Sequence, residues 1–251
     1  MKRLRVLTTR GEIVQDRLAG ATAVVVDVFL ATTTLLTILE NGARCVFPVA
    51  SLEEAENARE KLDASNVLRG GEQNSERIEG YDLGPFPEEY PPETVADKEV
   101  VFVTTNGTRA IADAAPAERV LLGCLRNAPA VARYLEGSGT PSIYLICADA
   151  RFALDDFFGA AAILSCMNTG GWHLNDAAWM ALDFMQHHRN AAEVLQRGRM
   201  GRWFTEHRME TFEFVADVGA SELVPQVVGG RLGPAKPASY QPSAKANPDI
   251  P

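Results

Sequence analysis

The sequence predicts an α/β protein with a mixed or mostly parallel sheet, helices on both faces of the sheet and a more helical C-terminal half. Three observations support this prediction. Short apolar or β-branched runs alternate with segments of helical periodicity over the first 150 residues, a pattern typical of sheets covered by helices. Beyond Leu154 the periodicity is mainly helical. With 251 residues, 46% of them hydrophobic, the chain can also bury an extensive core.

The individual elements follow in chain order. Residues 4–7 and 24–28 are predicted strands, and a helix over residues 32–40 ends at Asn41-Gly42, a typical C-cap. Ser51, with Glu54 three residues later, forms a capping box for a helix that ends near Leu62. Further strands are predicted at residues 45–49, 100–103, 120–122, 143–146, 212–215 and 223–228, and further helices at 107–114, 130–135, 154–167 and 177–188.

Two segments fit neither pattern. Residues 70–92 are rich in Gly, Pro and acidic residues and exceed the usual connection length, so we expect this segment to be either functional or disordered. Residues 233–251 contain five prolines and are predicted to form a flexible tail. We therefore expect a single domain over residues 1–232, with two lobes at about 1–150 and 151–232 as the alternative.

Charge and composition exclude several classes of function. The formal net charge of −9 disfavours binding to nucleic acid or to anionic lipid. The most apolar stretch, residues 19–39, carries Asp27 near its middle and is better explained by a buried strand and helix than by a membrane span. The four cysteines have no metal or redox spacing. We expect reduced thiols in a cytoplasmic protein, and homo-oligomerisation remains open.

Two predicted strand-to-helix turns carry residue types suited to an anion. The first is Asp-Val-Phe-Leu-Ala-Thr-Thr-Thr at residues 27–34, and the second is Thr-Thr-Asn-Gly-Thr-Arg at residues 104–109. Helix N-termini at the carboxyl ends of strands present unpaired N–H groups to ligands. Simple N-capping by the threonines is the alternative for each turn. The sequence contains no GxxxxGK[ST], GxGxxG, GxSxG or HExxH motif, which leaves a P-loop or dinucleotide site, a serine-hydrolase nucleophile elbow and a zincin site without support.

Several acidic residues are candidates for holding a hard cation such as Mg²⁺, which prefers one or two carboxylates together with phosphate oxygens and water. These candidates are Asp27, Glu72, Asp82, Asp155 and Asp156. Asp27 is the most informative, because an ionisable residue inside an apolar strand needs a partner or a functional reason. Capping of the next helix is the alternative for Asp27, and a favourable interaction with a helix dipole is the alternative for Asp155 and Asp156.

At these same residues the sequence resembles the 2-phosphosulfolactate phosphatase family. Residues 26–34 correspond to a family segment of the type Val-Asp-Val-Leu-Arg-Ala-Thr-Thr-Thr. Other similar segments are residues 41–43 with 48–49, 70–72, 81–84, 104–109, 122–123 with 127–128, and 154–156. The resemblance implies an α/β fold of the family's own type. It also implies a magnesium-dependent phosphoric monoester hydrolase that converts 2-phosphosulfolactate to sulfolactate and phosphate, in the pathway to coenzyme M.

The resemblance further implies roles for individual residues. Asp27 and Glu72 would be catalytic carboxylates or magnesium ligands, Asp156 a third ligand, and Arg109 the residue that neutralises charge on the leaving group. The phosphoryl oxygens would be bound by Thr32, Thr33, Thr34, Asn106, Gly107 and Thr108. Attack on phosphorus by a metal-activated water and attack by Asp27 itself are both open.

Four positions depart from the family pattern. Leu30 and Gln73 stand where the family has arginine, and Pro85-Phe86-Pro87 stands where it has Asn-Ser-Pro. Each lost charge-assisted hydrogen bond is worth about ten- to a hundredfold in affinity. Two alternatives follow: a diverged paralogue without phosphatase activity, or an enzyme retuned to a less anionic phosphate ester. The arginines considered as replacements are Arg77, Arg109, Arg126 and Arg151.

Overall fold

The computed structural model describes residues 2–236, in which eleven strands form one sheet. The strands are β1 (Lys2–Leu7), β2 (Thr22–Val26), β3 (Cys45–Val49), β4 (Val67–Gln73), β5 (Glu76–Arg77), β6 (Glu99–Val103), β7 (Arg119–Gly123), β8 (Ser142–Cys147), β9 (Trp172–Leu174), β10 (Pro225–Val228) and β11 (Arg231–Pro234). The helices are α1 (Ala31–Glu40), α2 (Leu52–Arg59), α3 (Pro92–Val95), α4 (Gly107–Asp113), α5 (Ala128–Gly137), α6 (Leu154–Ser165), α7 (Asp176–His187), α8 (Ala191–Leu195), α9 (Arg199–His207) and α10 (Met209–Ala216).

The sheet consists of two parallel half-sheets joined by a hairpin. The strand order is β5-β4-β6-β3-β11-β10-β7-β2-β8-β1-β9. Strands β4, β6 and β3 are parallel and form the first half-sheet, and β7, β2, β8, β1 and β9 are parallel and form the second. The hairpin β10–β11 pairs antiparallel with β3 on one side and with β7 on the other. The predicted α/β class with a mostly parallel sheet is confirmed.

The half-sheets fold back on each other around buried helices. Three successive antiparallel pairings would place the carboxyl ends of the two half-sheets at opposite edges if the sheet were flat. The residues that follow β2 and β6 nevertheless line the same cleft. Helix α1 contacts β3 in the first half-sheet and β7 in the second, and α4 contacts β3 and β2. Both helices therefore lie between the half-sheets.

The core reflects the alternation of side chains along the strands. In β2, Val24 and Val26 pack in a cluster with Phe158 of α6, whereas Val25 packs on the opposite face in a second cluster with Phe102 of β6. This alternation is expected of a strand that is buried on both faces. The second half-sheet thus has helices on both sides, and α1 fills the space between it and the first half-sheet.

The C-terminal part differs from the prediction at residues 212–215, which were expected to form a strand and instead lie in α10. Thr211, Phe212 and Val215 of this helix are buried. Their spacing of three to four residues matches one helical face better than it matches a strand. Residues 223–228 contain β10, as predicted.

Residues 70–92 are more ordered than a simple loop. Residues 70–73 complete β4, and Asn74 and Ser75, with φ of 56° and 67°, form a two-residue turn into β5. Positive φ at both central positions is typical of a type I′ hairpin. At the other end of the chain, Gly233 and Pro234 belong to β11, and the predicted tail from residue 237 onwards lies outside the described residues.

Two further findings concern the cysteines and the possibility of a membrane span. All four cysteines are free thiols. Among the described residues, no helix has the length and apolar character needed to cross a membrane.

Candidate active site

A cleft of about 600 Å³ lies where the carboxyl ends of β2, β4, β6 and β8 meet α9. Its lining contains three groups of distinct chemistry, in addition to Ala31, Ser75, Thr104, Thr105, Asn106, Ala153, Met200 and Glu206. The acidic cluster consists of Asp27, Glu72, Asp149, Asp155 and Asp156. The apolar wall consists of Phe29, Leu30, Pro85, Phe86, Trp203 and Phe204. The arginine pair, Arg199 and Arg202, projects from α9.

Asp27 is held in place by the start of α1. Its Oδ1 accepts a hydrogen bond from the Ala31 N–H at 3.3 Å, and its own N–H donates to Thr32 Oγ1 at 3.0 Å. Gly107 lies on the other side of the carboxylate. A Cβ at position 107 would lie 2.6 Å from Asp27 Oδ2 and would also collide with Ala31. The glycine in the Asn-Gly-Thr turn is therefore needed for the close approach of α4 to this carboxylate.

The environment of the acidic cluster favours protonated carboxyl groups or a bound cation. Burial raises the pKa of Asp27 to about 7, and the charge of Asp155 adds to this effect while the Ala31 N–H opposes it. Burial likewise raises the pKa of Asp155 to about 6, and the nearby Arg199 partly offsets this rise. The pKa of Asp156 is raised well above its usual value, first by burial and then by the charges of Asp27 and Asp155.

Asp156, predicted as a metal ligand, connects two loops. Its Oδ1 accepts from the Val28 N–H at 3.0 Å, and its Oδ2 accepts from the N–H groups of Ala148 and Asp149 at 3.1 and 3.2 Å. The carboxylate thereby ties the turn after β2 to the turn after β8. This arrangement gives Asp156 a positioning role and leaves little of its hydrogen-bonding capacity for a ligand.

Glu72, predicted as a catalytic carboxylate and metal ligand, is similarly engaged. Its Oε1 accepts from the Thr105 N–H at 2.5 Å, and its Oε2 accepts from Thr105 Oγ1 at 2.8 Å and from the Ser75 N–H at 2.7 Å. Glu72 lines the cleft, but both oxygens already hold the Thr104–Asn106 turn against the β4–β5 hairpin. Asp82, also considered as a cation ligand, is exposed, accepts from the Arg69 N–H at 2.8 Å and lies outside the cleft lining.

The predicted phosphate-binding threonines are buried and point to backbone carbonyl groups. Thr32 Oγ1 donates to the carbonyls of Asp27 and Gly123, Thr33 Oγ1 donates to that of Val28, and Thr34 Oγ1 donates to that of Pro85. None of the three is among the residues that line the cleft. The structure therefore does not bring these hydroxyl groups to a ligand, and their observed role is to fix the turn after β2.

The second predicted turn contributes different residues from those expected. Asn106 lines the cleft together with Thr104 and Thr105, whereas Gly107 and Thr108 lie behind them. Thr108 Oγ1 donates to the Thr104 carbonyl at 3.0 Å and accepts from the Thr104 N–H at 2.9 Å. The amide of Asn106 is thus the predicted phosphate-binding group that the structure does place in the cleft.

Arg109, predicted to neutralise the leaving group, is exposed on α4 and is not part of the cleft lining. The other arginines considered as replacements also lie elsewhere: Arg77 pairs with Glu89, Arg126 donates to the Phe214 carbonyl, and Arg151 is exposed. In the described part of the chain, the arginines that line the cleft are Arg199 and Arg202. Sequence reasoning missed them, although they sit three residues apart on one face of an amphipathic segment.

The donor set is compatible with a hard divalent cation. Among residues 2–236, no group of three or more His, Cys, Asp or Glu side chains has the arrangement of a preformed metal site. Mg²⁺ commonly takes only one or two carboxylates and completes its coordination with water and phosphate oxygens. Asp27 and Asp155 are nearly fully buried, and burial, with neighbouring carboxylates as a further cause, raises their pKa values. A bound cation would stabilise the ionised forms that this environment disfavours.

The apolar wall contains three of the four positions that depart from the family pattern. Leu30, Pro85 and Phe86 line the cleft, whereas Gln73 is exposed and does not. Phe204 of α9 stacks on Phe29 with ring centroids 4.5 Å apart and contacts Phe86 edge to face at 6.2 Å. The wall therefore also anchors α9 over the cleft.

Comparison with known proteins gives consistent matches. The sequence model of the family described as 2-phosphosulpholactate phosphatase matches residues 7–230. A protein of Caldanaerobacter subterraneus subsp. tengcongensis, named "probable 2-phosphosulfolactate phosphatase", is 36% identical over 223 residues, which cover 86% of this chain and 92% of the relative. Proteins with the same name from Symbiobacterium thermophilum and Thermotoga petrophila are 36% and 34% identical, covering 86% and 83% of this chain and 95% and 90% of the relatives.

Proposed function

The chain belongs to the 2-phosphosulfolactate phosphatase family, and from this premise we propose that it is a magnesium-dependent phosphatase of a small anionic phosphate ester. The proposed reaction converts 2-phosphosulfolactate to sulfolactate and phosphate. The observation that carries the proposal is the convergence of buried carboxylates, the Asn106 amide and two arginines in one cleft. We further propose a cytoplasmic location, which the four free thiols support, and a place in coenzyme M formation, which rests on the resemblance.

Asp27 and Asp155 are the proposed ligands of Mg²⁺. The bound ion would supply charge neutralisation at the phosphoryl oxygens. Asn106 can donate a hydrogen bond from its side-chain amide to one of these oxygens. Asp156 accepts from the N–H groups of Val28 and Asp149 and so holds the turn after β2, next to Asp27, close to the start of α6, where Asp155 lies. Hydrolysis breaks the bond between phosphorus and the ester oxygen and forms one between phosphorus and the oxygen of water. The proposal holds both for direct attack by water and for a first attack by Asp27.

The first test is phosphate release from 2-phosphosulfolactate by the purified full chain. We expect turnover with added Mg²⁺, loss of turnover with a chelator and recovery when excess Mg²⁺ is restored. Turnover that a chelator leaves unchanged would contradict the metal requirement. No phosphate release from this ester or from a panel of other esters, by demonstrably folded protein, would favour a paralogue that binds without catalysing.

A second candidate is an enzyme retuned to a less anionic phosphate ester. The observation in its favour is that Leu30 and Phe86, at positions where the family has arginine and serine, form part of the cleft wall. An apolar wall disfavours a desolvated charged group and favours a carbon substituent. Higher kcat/KM for 2-phospholactate than for 2-phosphosulfolactate, with the order reversed in Leu30→Arg, would support retuning. Preference for 2-phosphosulfolactate by the unmodified chain would exclude it.

A further inference from the structure

We propose that Arg199 and Arg202 of α9 bind the carboxylate and the sulfonate that the substrate carries in addition to its phosphate. This inference rests on the proposed phosphatase function and adds the residues that select the substrate. Both arginines lie on the helix face that also contains Trp203 and Glu206, and all four line the cleft. Residues three, four and seven positions apart on a helix share one face. These four side chains therefore line the cleft because α9 turns that face towards it.

The orientation of α9 is fixed by contacts on both sides of the cleft. Phe204 is buried against Phe29 from the turn after β2. Next to the C-terminal end of α9, Arg208 lies over the Phe86 ring at 3.7 Å and pairs with Glu88 at 3.2 Å. Because the helix is attached to both loops that flank the cleft, its arginines are held at the entrance without depending on a ligand.

Both arginines have hydrogen-bond donors available. The carboxylate paired with Arg199 is that of Asp149, and the N–O distance of 3.7 Å is longer than a hydrogen bond. Arg202 donates from Nη1 to the Arg197 carbonyl at 2.6 Å. A guanidinium group has five N–H donors and matches the oxygens of a carboxylate or a similar oxyanion. Each side chain can therefore bind a further anion without giving up an established contact.

The charge distribution in the cleft separates the two ends of such a substrate. The ionised acidic cluster repels a free carboxylate or sulfonate, and Asp27 and Asp155 can accept a phosphate group only when they are protonated or when a cation lies between them and the phosphate. On this face of α9 the two positive charges of the arginine pair exceed the single negative charge of Glu206, so the arginine pair is the location at which further anionic groups are favoured. Since Leu30 replaces the family's arginine in the same cleft, the positive charge for the carboxylate and the sulfonate comes from α9 in this chain.

The experiment compares substrates with and without acid groups besides the phosphate. In Arg199→Gln, Arg202→Gln and the double variant, we expect KM for 2-phosphosulfolactate to rise about ten- to a hundredfold per lost charge-assisted hydrogen bond. The kcat should change little. For glycerol 2-phosphate, which has no other acid group, kcat/KM should stay within about twofold, and Lys in place of Arg should restore part of the affinity. Arg189→Gln, an exposed arginine outside the cleft, is the matched control.

A binding measurement separates this inference from the phosphatase function. Sulfolactate, titrated calorimetrically into the metal-free full chain, should bind to the unmodified protein and to Arg189→Gln more tightly than to the double variant. If no ester is hydrolysed but sulfolactate binding depends on the arginines, the phosphatase proposal fails and the inference stands. Equal losses for both esters, or sulfolactate binding that is absent or independent of the arginines, would overturn the inference.

Discussion

At Asp27, the fold places a carboxyl group where its ionised form is disfavoured. The side chain is 8% exposed, and within residues 2–236 only the Ala31 N–H donates to it. The neighbouring Asp155 adds negative charge. A buried charge of this kind is maintained only when a proton, a cation or a reaction requires it. Variants of Asp27 can therefore report both on the proposed chemistry and on the loss of stability that the buried carboxylate causes.

The first prediction concerns Asp27→Asn. We expect the variant to lose phosphatase activity by at least about a hundredfold, because an amide cannot serve as an anionic ligand or nucleophile. The amide oxygen can still accept from the Ala31 N–H, so the fold should be retained. Phosphate release and thermal unfolding measure the two effects. Asp16→Asn, at an exposed position, is the control, and undiminished activity of Asp27→Asn would remove Asp27 from the mechanism.

The second prediction is the pH dependence of stability in the metal-free protein. The pKa of Asp27 is raised from 3.8 to about 7 on folding, so between these values the folded state binds more protons than the unfolded state. The free energy of unfolding contributed by this group is therefore fully present below pH 4 and is lost as the pH rises to about 7. Urea unfolding at pH 5 and pH 7.5 should show this decrease, and Asp27→Asn should show a smaller one. The same decrease in both proteins would contradict the assignment.

At the scale of secondary-structure elements, sequence patterns predicted most of the regular units. Strand 45–49 was predicted with the bounds found in β3, and the helix starting at Gly107 ends one residue before the predicted end. Both elements can be recognised locally, because residues 45–49 are apolar throughout and Gly107 directly follows an apolar strand and a short polar turn. The β4–β5 hairpin was missed because its turn residues, Asn74 and Ser75, are not the Asn-Gly pair that signals such turns.

The candidate site was predictable in part for the same reason. The two turns after β2 and β6 were identified from their position between strand and helix, and both contribute to the cleft. Which side chains of these turns face the cleft depends on long-range contacts, such as the hydrogen bond from Thr34 Oγ1 to the carbonyl of Pro85, 51 residues away. The arginine pair depends on how α9 packs against distant loops. Local sequence patterns show neither the orientation of the side chains in the turns nor the packing of α9.

The third prediction tests the observed role of the threonines in the turn after β2. Thr34→Val keeps the shape of the side chain but leaves the Pro85 carbonyl without its donor, which should lower the free energy of unfolding by about 1–2 kcal/mol. Because Thr34 does not line the cleft, KM should change less than about twofold. Asn106→Ala, which removes an amide from the cleft, should instead lower kcat/KM by about tenfold. A large rise in KM for Thr34→Val would restore the threonine to phosphate binding.

At the scale of the whole molecule, the two halves of the chain share their cores. One hydrophobic cluster contains Val24 and Leu145 from the strands of the first 150 residues together with Phe158, Phe204 and Phe212 from the C-terminal helices. The hairpin β10–β11, formed by residues near the C-terminus, connects the two half-sheets. Separate lobes over residues 1–150 and 151–232 would each expose much of this shared surface. From these contacts we propose that the chain unfolds as one domain, and the single domain over residues 1–232 stays a prediction.

The last prediction follows from the position of Leu232 in β11. Its side chain is buried between the half-sheets and its backbone pairs with Val46 of β3, so Leu232→Ala should cost about 2–5 kcal/mol. In a single cooperative domain, the fluorescence of the three tryptophans, which all follow residue 171, and the far-ultraviolet circular dichroism should shift together to lower urea concentration. Val228→Ala, at a position that is 66% exposed, should leave both signals near their original midpoints. A fluorescence transition that stays in place while the dichroism shifts would mean that the C-terminal helices unfold as a separate lobe.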